Sequence, residues 1–349
     1  MNHLRNALWM EARGHEVTIV CTKKSPLEKA ALEAQLSVIS IRKPARHYAF
    51  LSAWMILLKL NKRNVKEVMI RNTSDISLGA SISFLSFKRI HIHFFMELMF
   101  QEQKQQLYRT IRYSFLCSWV CSLEYMKEKV LSATRIDQKN VCVIPSGLDF
   151  NQILPFSKTE ARQHLNLPEE NVIFGMIGRI DRKKRIELAI LALSELNHPL
   201  YHLMIVGEET PDSSDSYLTE LHQLIHEKNL EDHVHFYGFH AETSLFYHAI
   251  DALIMASDFE TFGMSTIEAL AHIRPVIATY SGGSKELLTR FPFGILVEPG
   301  NPSHFALAME RVALIDPENF DSRAFQSYFD YQRICEMIES RILSCESMR

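Results

Sequence analysis

The sequence predicts an α/β protein built from two doubly wound, parallel-sheet domains. Three observations lead there. Short apolar runs suited to strands alternate with helical patterns along almost the whole chain, which is the signature of parallel strands joined by crossover helices. The alternation breaks once, around Asp149–Glu170, where Pro155, Lys158, Pro168 and two adjacent glutamates interrupt it. Charge divides near the same place: residues 1–150 hold 22 Lys and Arg against 12 Asp and Glu, and residues 151–349 hold 16 against 29. The expected domains are 1–155, joined by a C-terminal helix at 328–349, and 156–327.

In the first half the expected strands are Glu16–Cys21, Leu36–Ile41, Lys66–Ile70, Arg89–Phe95, Trp119–Ser122 and Val141–Ile144. In the second they are Val172–Ile177, His202–Val206, His233–Tyr237, Ala252–Met255, Pro275–Ala278 and Gly294–Val297. Helical periodicity fills the gaps, for example at Ile186–Leu196, Tyr217–Lys228 and Ser303–Leu314. The opening differs: His3–Arg13 is helical and runs through Gly14 into the first strand. A doubly wound domain normally starts with a strand and a glycine-rich turn, so the first domain is expected to lack that strand.

Composition bounds the function. At 349 residues, 47% apolar and 23% charged, the chain can bury two cores and has the charge of a soluble globular protein. It contains no run of about 18 apolar residues, so no membrane-spanning helix is expected. The longest candidate, Ala49–Leu58, is followed by Lys59, Lys62 and Arg63. The start lacks the apolar core of a signal peptide, and a cytoplasmic location is expected. The six cysteines form no CxxC pair and are read as buried thiols. Cys117 and Cys121 have a spacing that would suit a metal on a helix, but no neighbouring His or acidic cluster completes such a site. No nucleic-acid partner is expected. The basic first half suits an anionic surface or acceptor, or else is a solvated basic face.

Ligands of open parallel sheets bind beyond the carboxyl ends of the strands. In the second half those ends carry Gly178-Arg179 with Arg182–Arg185, then Gly207-Glu208-Glu209, Gly238-Phe239, Ser257–Gly263 and Ser281-Gly282-Gly283. These are parts for holding a diphosphate. Gly263 opens a helix at Met264–Ala271 whose first amides are free for an anion, and Arg179 and Lys184 supply fixed positive charge. Alone, Lys183–Arg185 reads as an exposed helix start, yet cations there oppose the macrodipole unless an anion lies near. Glu260 and Glu268 are eight apart, roughly 12 Å along a helix axis. That is too far to share a proton but suits a grip on both ends of one elongated ligand. Each taken singly is an ordinary helix-surface carboxylate.

The run Ser257-Asp258-Phe259-Glu260-Thr261-Phe262-Gly263-Met264-Ser265-Thr266-Ile267-Glu268-Ala269-Leu270-Ala271 resembles the signature of family-4 glycosyltransferases, a Glu-x7-Glu motif with Phe-Gly inside. Pro275–Ala278 and Gly282–Glu286 continue it in register. Gly178-Arg179 with Lys184 resembles the family's donor-phosphate motif, and Ile144–Asp149 its strand-end turn. The resemblance covers residues 140–300 most strongly. It implies a GT-B fold of two Rossmann-like domains facing a cleft, and a retaining transferase that needs no metal or other cofactor. Arg179 and Lys184 would then bind the donor diphosphate with Gly178. Glu260 and the backbone of Phe262, Gly263 and Met264 would hold the transferred sugar, Glu268 the ribose, and Gly238 and Phe239 would approach the base. A family histidine is expected near Arg89–Met99, with His93 the candidate. Two positions depart from the pattern: Arg185 and Ile273 stand where the family usually has glycine.

The function expected is transfer from a nucleotide sugar to a glycan, lipid-linked or similar acceptor, as in polysaccharide synthesis, with peripheral contact to an anionic cytoplasmic membrane face. The alternatives are a nucleotide-sugar-binding protein with impaired catalysis, or an enzyme of the same shape such as a sugar-nucleotide epimerase.

Overall fold

The computed structural model describes residues 2–42, 50–97, 99, 106–209, 216–240, 242–312 and 314–347. Ala49, the first residue of the apolar segment noted above, lies outside them. The chain divides into two compact units, Met1–Leu148 with Phe329–Arg349, and Asp149–Tyr328.

The first unit begins with α1 (Asn2–Ala12), β1 (Thr18–Thr22), α2 (Pro26–Glu33) and β2 (Ser37–Ile41). Then come α3 (Phe50–Asn61), β3 (Glu67–Ile70), α4 (Ile76–Leu85), β4 (His91–Met96), α5 (Leu107–Tyr113), β5 (Leu116–Cys121), α6 (Glu124–Ala133) and β6 (Val141–Val143). All its strand pairs are parallel, in two sheets: β1-β2, and β3-β4-β5-β6. Helix α1 packs on both groups. Ala7 sits with Ala31 and Leu36, while Trp9 and Met10 join Phe95, Val120 and Ile144. Strand β5 starts three residues before the expected position because Leu116 and Ser118 are also buried in the sheet. Cys117 and Cys121 both lie in this strand, not on a helix. The five cysteines whose side chains are described are free.

The second unit runs α7 (Lys158–His164), β7 (Val172–Ile177), α8 (Ile186–Leu196), β8 (Tyr201–Val206), α9 (Tyr217–Glu227), β9 (Val234–Phe236), α10 (Ser244–Ala249) and β10 (Ala252–Met255). It continues with α11 (Met264–Ala271), β11 (Val276–Thr279), α12 (Gly282–Arg290), β12 (Gly294–Val297), α13 (Pro302–Val312) and α14 (Ser322–Phe329). The last helix, α15 (Tyr331–Ser347), returns to the first unit, where the Tyr331 ring packs at a tilt against Trp9 with centroids 5.2 Å apart and Glu339 accepts from both Arg13 Nε and Nη2 at 2.8 Å.

The six strands of the second unit are parallel in the order β12-β11-β10-β7-β8-β9. The chain winds outward from β7 to β9, then restarts at β10 beside β7 and winds the other way. The reversal between β7 and β10 is a topological switch point, the place where such sheets leave a crevice at their carboxyl ends. Both sheet faces are covered, so Phe174, Leu203, Leu253 and Ile277 are fully buried and the strands read as continuous apolar runs. One polar device crosses this core. Arg162, 1% exposed, donates to the carbonyls of Ala249 (3.0 Å) and Asn171 (2.8 Å) and to Asp251 Oδ2 (2.6 Å), so a buried charge is both paired and hydrogen-bonded.

Candidate functional site

The carboxyl ends of β7 and β10 open onto a depression of ≈ 300 Å³ lined by Gly178, Arg179, Lys184, Ile205, Met255 and Ser257 among others. Glycine makes the rim tight. The amide of Gly178 bonds the carbonyl of Val206 at 2.9 Å, and that of Gly207 bonds the carbonyl of Gly238 at 2.7 Å. A Cβ on Gly207 would lie 1.8 Å from the Gly178 carbonyl oxygen, so only glycine allows these two strand exits to approach.

Two expected donor groups meet there. After β7 the chain makes a 3₁₀ turn, Arg182–Lys184, started by the Asp181 side chain, which accepts from the Lys183 amide. The turn aims Lys184 Nζ at Glu260 Oε2, 2.8 Å away, with both side chains largely buried. Arg185 follows with φ 53° and ψ 42°, a left-handed conformation that favours glycine. Its guanidinium lies 3.2 Å from Glu187 and 3.5 Å from Asp258. Arg179 stands 73% exposed beside Asp181 at 3.7 Å, a charge held at the mouth of the depression.

The segment 258–263 leads into α11. Gly263 has φ 86° and ψ 53°, and no side chain caps the helix, so its first amides are left for another acceptor. The start of α12 braces this segment: Gly283 N–H donates to the Glu260 carbonyl at 2.8 Å, and a Cβ on Gly282 would lie 2.2 Å from that same oxygen. Phe262 is buried, and Ser265 Oγ donates to the carbonyl of Ile177 at 2.8 Å, tying α11 to the end of β7. Three buried hydroxyls beside these helix starts, Ser257 Oγ, Thr266 Oγ1 and Ser284 Oγ, have no hydrogen-bond partner among the described residues.

Glu268 lies inside α11, where its Oε2 accepts from the hydroxyl of Tyr247 at 2.8 Å. Tyr247 is fully buried on α10, and burial, then the neighbouring carboxylate, raises its pKa well above the ordinary phenol value. The phenol therefore stays protonated and fixes one oxygen of Glu268. Sequence reasoning misses Tyr247 because it is 21 positions away and carries no motif. Gly238 and Phe239 follow β9, with Phe239 65% exposed.

His93 does not join a carboxyl-end site. It occupies the third position of β4, 1% exposed, with Nε2 2.7 Å from Glu67 and Nδ1 2.7 Å from Ser118. Glu67 also holds His91 at 2.8 Å. Strands β3 and β4 both enter the sheet at this pair of residues, so the cluster belongs to the amino end and the interior. Its alternation with His91 puts the two histidines on one face, where the shared carboxylate satisfies them. The expectation that His93 is catalytic is corrected on this ground. The carboxyl end of the first unit's larger sheet instead carries Arg71, Glu97, Ser122 and Ser146, which line a second depression of ≈ 300 Å³ with Asn6 of α1. Arg71 bonds Glu97 at 2.8 Å and lies over the Phe95 ring, and burial lowers its pKa against the pull of Glu97. Among the described residues, no group of three or more His, Cys, Asp or Glu is placed to hold a metal ion.

Residues 157–325 match the family described as glycosyl transferases group 1. The D-inositol 3-phosphate glycosyltransferase of Stackebrandtia nassauensis is 28% identical over 198 residues, 54% of this chain and 44% of that protein. The lipopolysaccharide core biosynthesis mannosyltransferase LpsB of Rhizobium meliloti is 30% identical over 161 residues, 45% of each chain. The chain thus spans less than half the length of these curated relatives. Among solved structures, HepE of Anabaena in complex with UDP superposes with a TM-score of 0.83 at 20% identity, covering 98% of this chain and 96% of that one. A glycosyltransferase from Rickettsia africae gives 0.85 at 19% identity, covering 97% and 93%. The chain thus has the GT-B fold, with a second unit that matches the glycosyl transferases group 1 family over nearly its whole length.

Proposed function

We propose that the chain is a retaining glycosyltransferase that moves a sugar from a nucleotide-sugar donor to a glycan, lipid-linked or similar acceptor, without a metal. The observation that carries this is the meeting of Lys184, Glu260 and the uncapped start of α11 at the switch point of the six-stranded sheet. A nucleoside diphosphate needs fixed positive charge and free amides for its phosphates, and a carboxylate for its ribose. Lys184 and Arg179 after β7, with the α11 terminus and Glu268 after β10, offer these from two segments. UDP in the HepE complex supports the same ligand class here.

In the proposed reaction the bond between the sugar's anomeric carbon and the diphosphate oxygen breaks, leaving negative charge on the diphosphate. Lys184, Arg179 and the helix terminus stabilise that charge as it develops. Lys184 then exchanges part of its contact with Glu260 for phosphate, and Glu260 turns to the sugar hydroxyls. The acceptor hydroxyl attacks from the face the diphosphate leaves and gives its proton to the departing diphosphate oxygen, which retains the anomeric configuration. Arg71 and Glu97, at the carboxyl end of the other sheet, supply a charged, partly buried pair suited to a hydroxyl-rich acceptor. A lipid-linked acceptor would bring the chain to an anionic membrane face.

A thermal-shift screen of nucleotide sugars, followed by transfer of labelled sugar from the best stabiliser, tests the reading. Stabilisation with transfer that persists in a chelator is expected. Epimerised sugar in place of transfer would replace the assignment with an epimerase. Binding without turnover on any acceptor would reduce the chain to a nucleotide-sugar-binding protein.

A further inference from the structure

Helix α3 is apolar on both faces. Ala53, Ile56, Leu57 and Leu60 are buried, and α3 packs on α4. The opposite face presents Phe50, Leu51, Trp54, Met55 and Leu58, each between 48% and 74% exposed. A helix on the surface of a water-soluble domain carries polar residues on that face, and contiguous exposed apolar area of this kind marks an interaction surface. The neighbouring helices also expose apolar side chains: Phe84 of α4 and Phe87 just after it are 57% and 88% exposed, and Leu107 and Ile111 of α5, which packs on α4, are 72% and 51% exposed.

The charges around this face have one sign. Segments 50–66, 76–96 and 106–115 contain no Asp or Glu, and Lys59, Lys62, Arg63, Lys66, Lys88 and Arg89 are all exposed. Helices α3 and α4 lead into parallel strands paired at Glu67 and His91. The cations after both helices therefore gather at one rim, beside the apolar stripe. We propose that this face, the outer side of α3 with the adjoining ends of α4 and α5, docks on an anionic lipid bilayer. The apolar side chains enter the boundary between headgroups and acyl chains, and the lysines and arginines meet the lipid phosphates. A second copy docking through the same face would set this cationic rim against itself in a two-fold contact, which disfavours a dimer as the cover. The proposal deepens the reading of a lipid-linked acceptor and rests on it for its purpose. Vesicle binding is measured without donor or transfer, so failure of one reading is distinguishable from failure of the other.

The test uses the full chain with vesicles of phosphatidylcholine alone or mixed with phosphatidylglycerol. Trp9 and Trp119 are buried, at 7% and 0% exposed, while Trp54 is 50% exposed, so a change in tryptophan emission reports on α3. Cosedimentation and a blue shift are expected with the anionic vesicles, both weakening as salt rises, and the shift is lost in Trp54→Phe, which still sediments. Leu51→Glu with Met55→Glu, and separately Lys62→Glu with Arg63→Glu, should each lower the vesicle partition coefficient by about tenfold or more. These positions are exposed, so circular dichroism should show an unchanged fold. Absence of binding to anionic vesicles would overturn the proposal, as would unchanged binding by both double variants. A dimer in vesicle-free solution that Leu51→Glu with Met55→Glu converts to monomer would overturn it in favour of a second copy.

Discussion

At the residue scale, the ion pair between Lys184 and Glu260 is a short contact between two groups on different segments, 76 positions apart. Its proposed role makes each partner testable. Lys184→Ala removes a charge that stabilises the departing diphosphate, and Glu260→Gln removes the carboxylate facing the sugar. Each should lower kcat/KM at least about a hundredfold, the loss typical of one preorganised electrostatic group, with the melting temperature shifted by only a few degrees. Full activity in either variant would sink the site assignment. Tyr247 donates to Glu268 at 2.8 Å, and in the proposed function it is a positioning residue that acts through that carboxylate. Tyr247→Phe removes one hydrogen bond to a charged group, worth about 1.5–3 kcal/mol. The donor KM should therefore rise about tenfold while kcat changes little, because the ribose is remote from the bond that breaks. A fall in kcat with unchanged donor KM would show that Tyr247 does not work through Glu268.

At the element scale, the two positions that depart from the family's glycine pattern adopt the conformation glycine would. Arg185 starts α8 with φ 53°, and Ile273 follows α11 with φ 55°. The end of α11 is a complete Schellman motif, with Ile273 N–H bonding the Leu270 carbonyl at 3.0 Å and Arg274 N–H bonding that of Ala269 at 2.9 Å. A β-branched residue in the left-handed region is strained by roughly 1–2 kcal/mol, and glycine costs about 0.5–1 kcal/mol in unfolded-chain entropy. Ile273→Gly should thus stabilise the protein by about 0.5–1 kcal/mol, seen as a higher urea midpoint at constant slope; a lower midpoint would refute the strain. Arg162 works oppositely. Arg162→Met leaves the buried end of Asp251 with Lys158 and the Ile173 amide as partners, and the loss of one member of such a pair costs about 3 kcal/mol or more. Denaturant unfolding measures this, and a loss under about 1 kcal/mol would show that the clip is dispensable.

At the scale of the whole molecule, buried histidines set an acid limit on stability. His202 sits at the amino end of β8 with Asn171 and His235 as hydrogen-bond partners and the His233 and His235 rings at 4.9 and 5.3 Å. Burial, then the two neighbouring histidines, lowers its pKa from 6.5 to about 4. His272, held between the Glu268 carbonyl and Ser244 Oγ near His248 and Arg274, is lowered to about 4 chiefly by burial. Between pH 6.5 and 4 the unfolded chain binds protons that the folded chain does not, so stability is full above 6.5 and falls as pH drops toward 4. Urea unfolding at pH 7, 6 and 5 should show a declining midpoint, and His202→Gln should flatten the decline. A midpoint independent of pH over that window would contradict the placement.

The twelve expected strands are all present, eleven of them with boundaries within two residues of those expected at both ends, because parallel strands covered on both faces leave uninterrupted apolar runs in the sequence. The donor segment was legible for a related reason. Its parts lie close along the chain, where a strand end, a glycine and a helix start must be consecutive to work. What could not be read locally were contacts between distant positions: Tyr247 behind Glu268, Arg162 on Asp251, and the Glu67 cluster that takes His93 into the sheet interior. Periodicity assigned His93 to a face but not to an end of the sheet, because register belongs to the pairing of two strands. The sequence by itself determined the fold class, the parallel strands and the chemistry of the segment from Ser257 to Glu286. The tertiary structure alone decided which charges meet, which histidines are buried, and that one apolar helix keeps half its surface in water, since each depends on what the folded chain brings alongside.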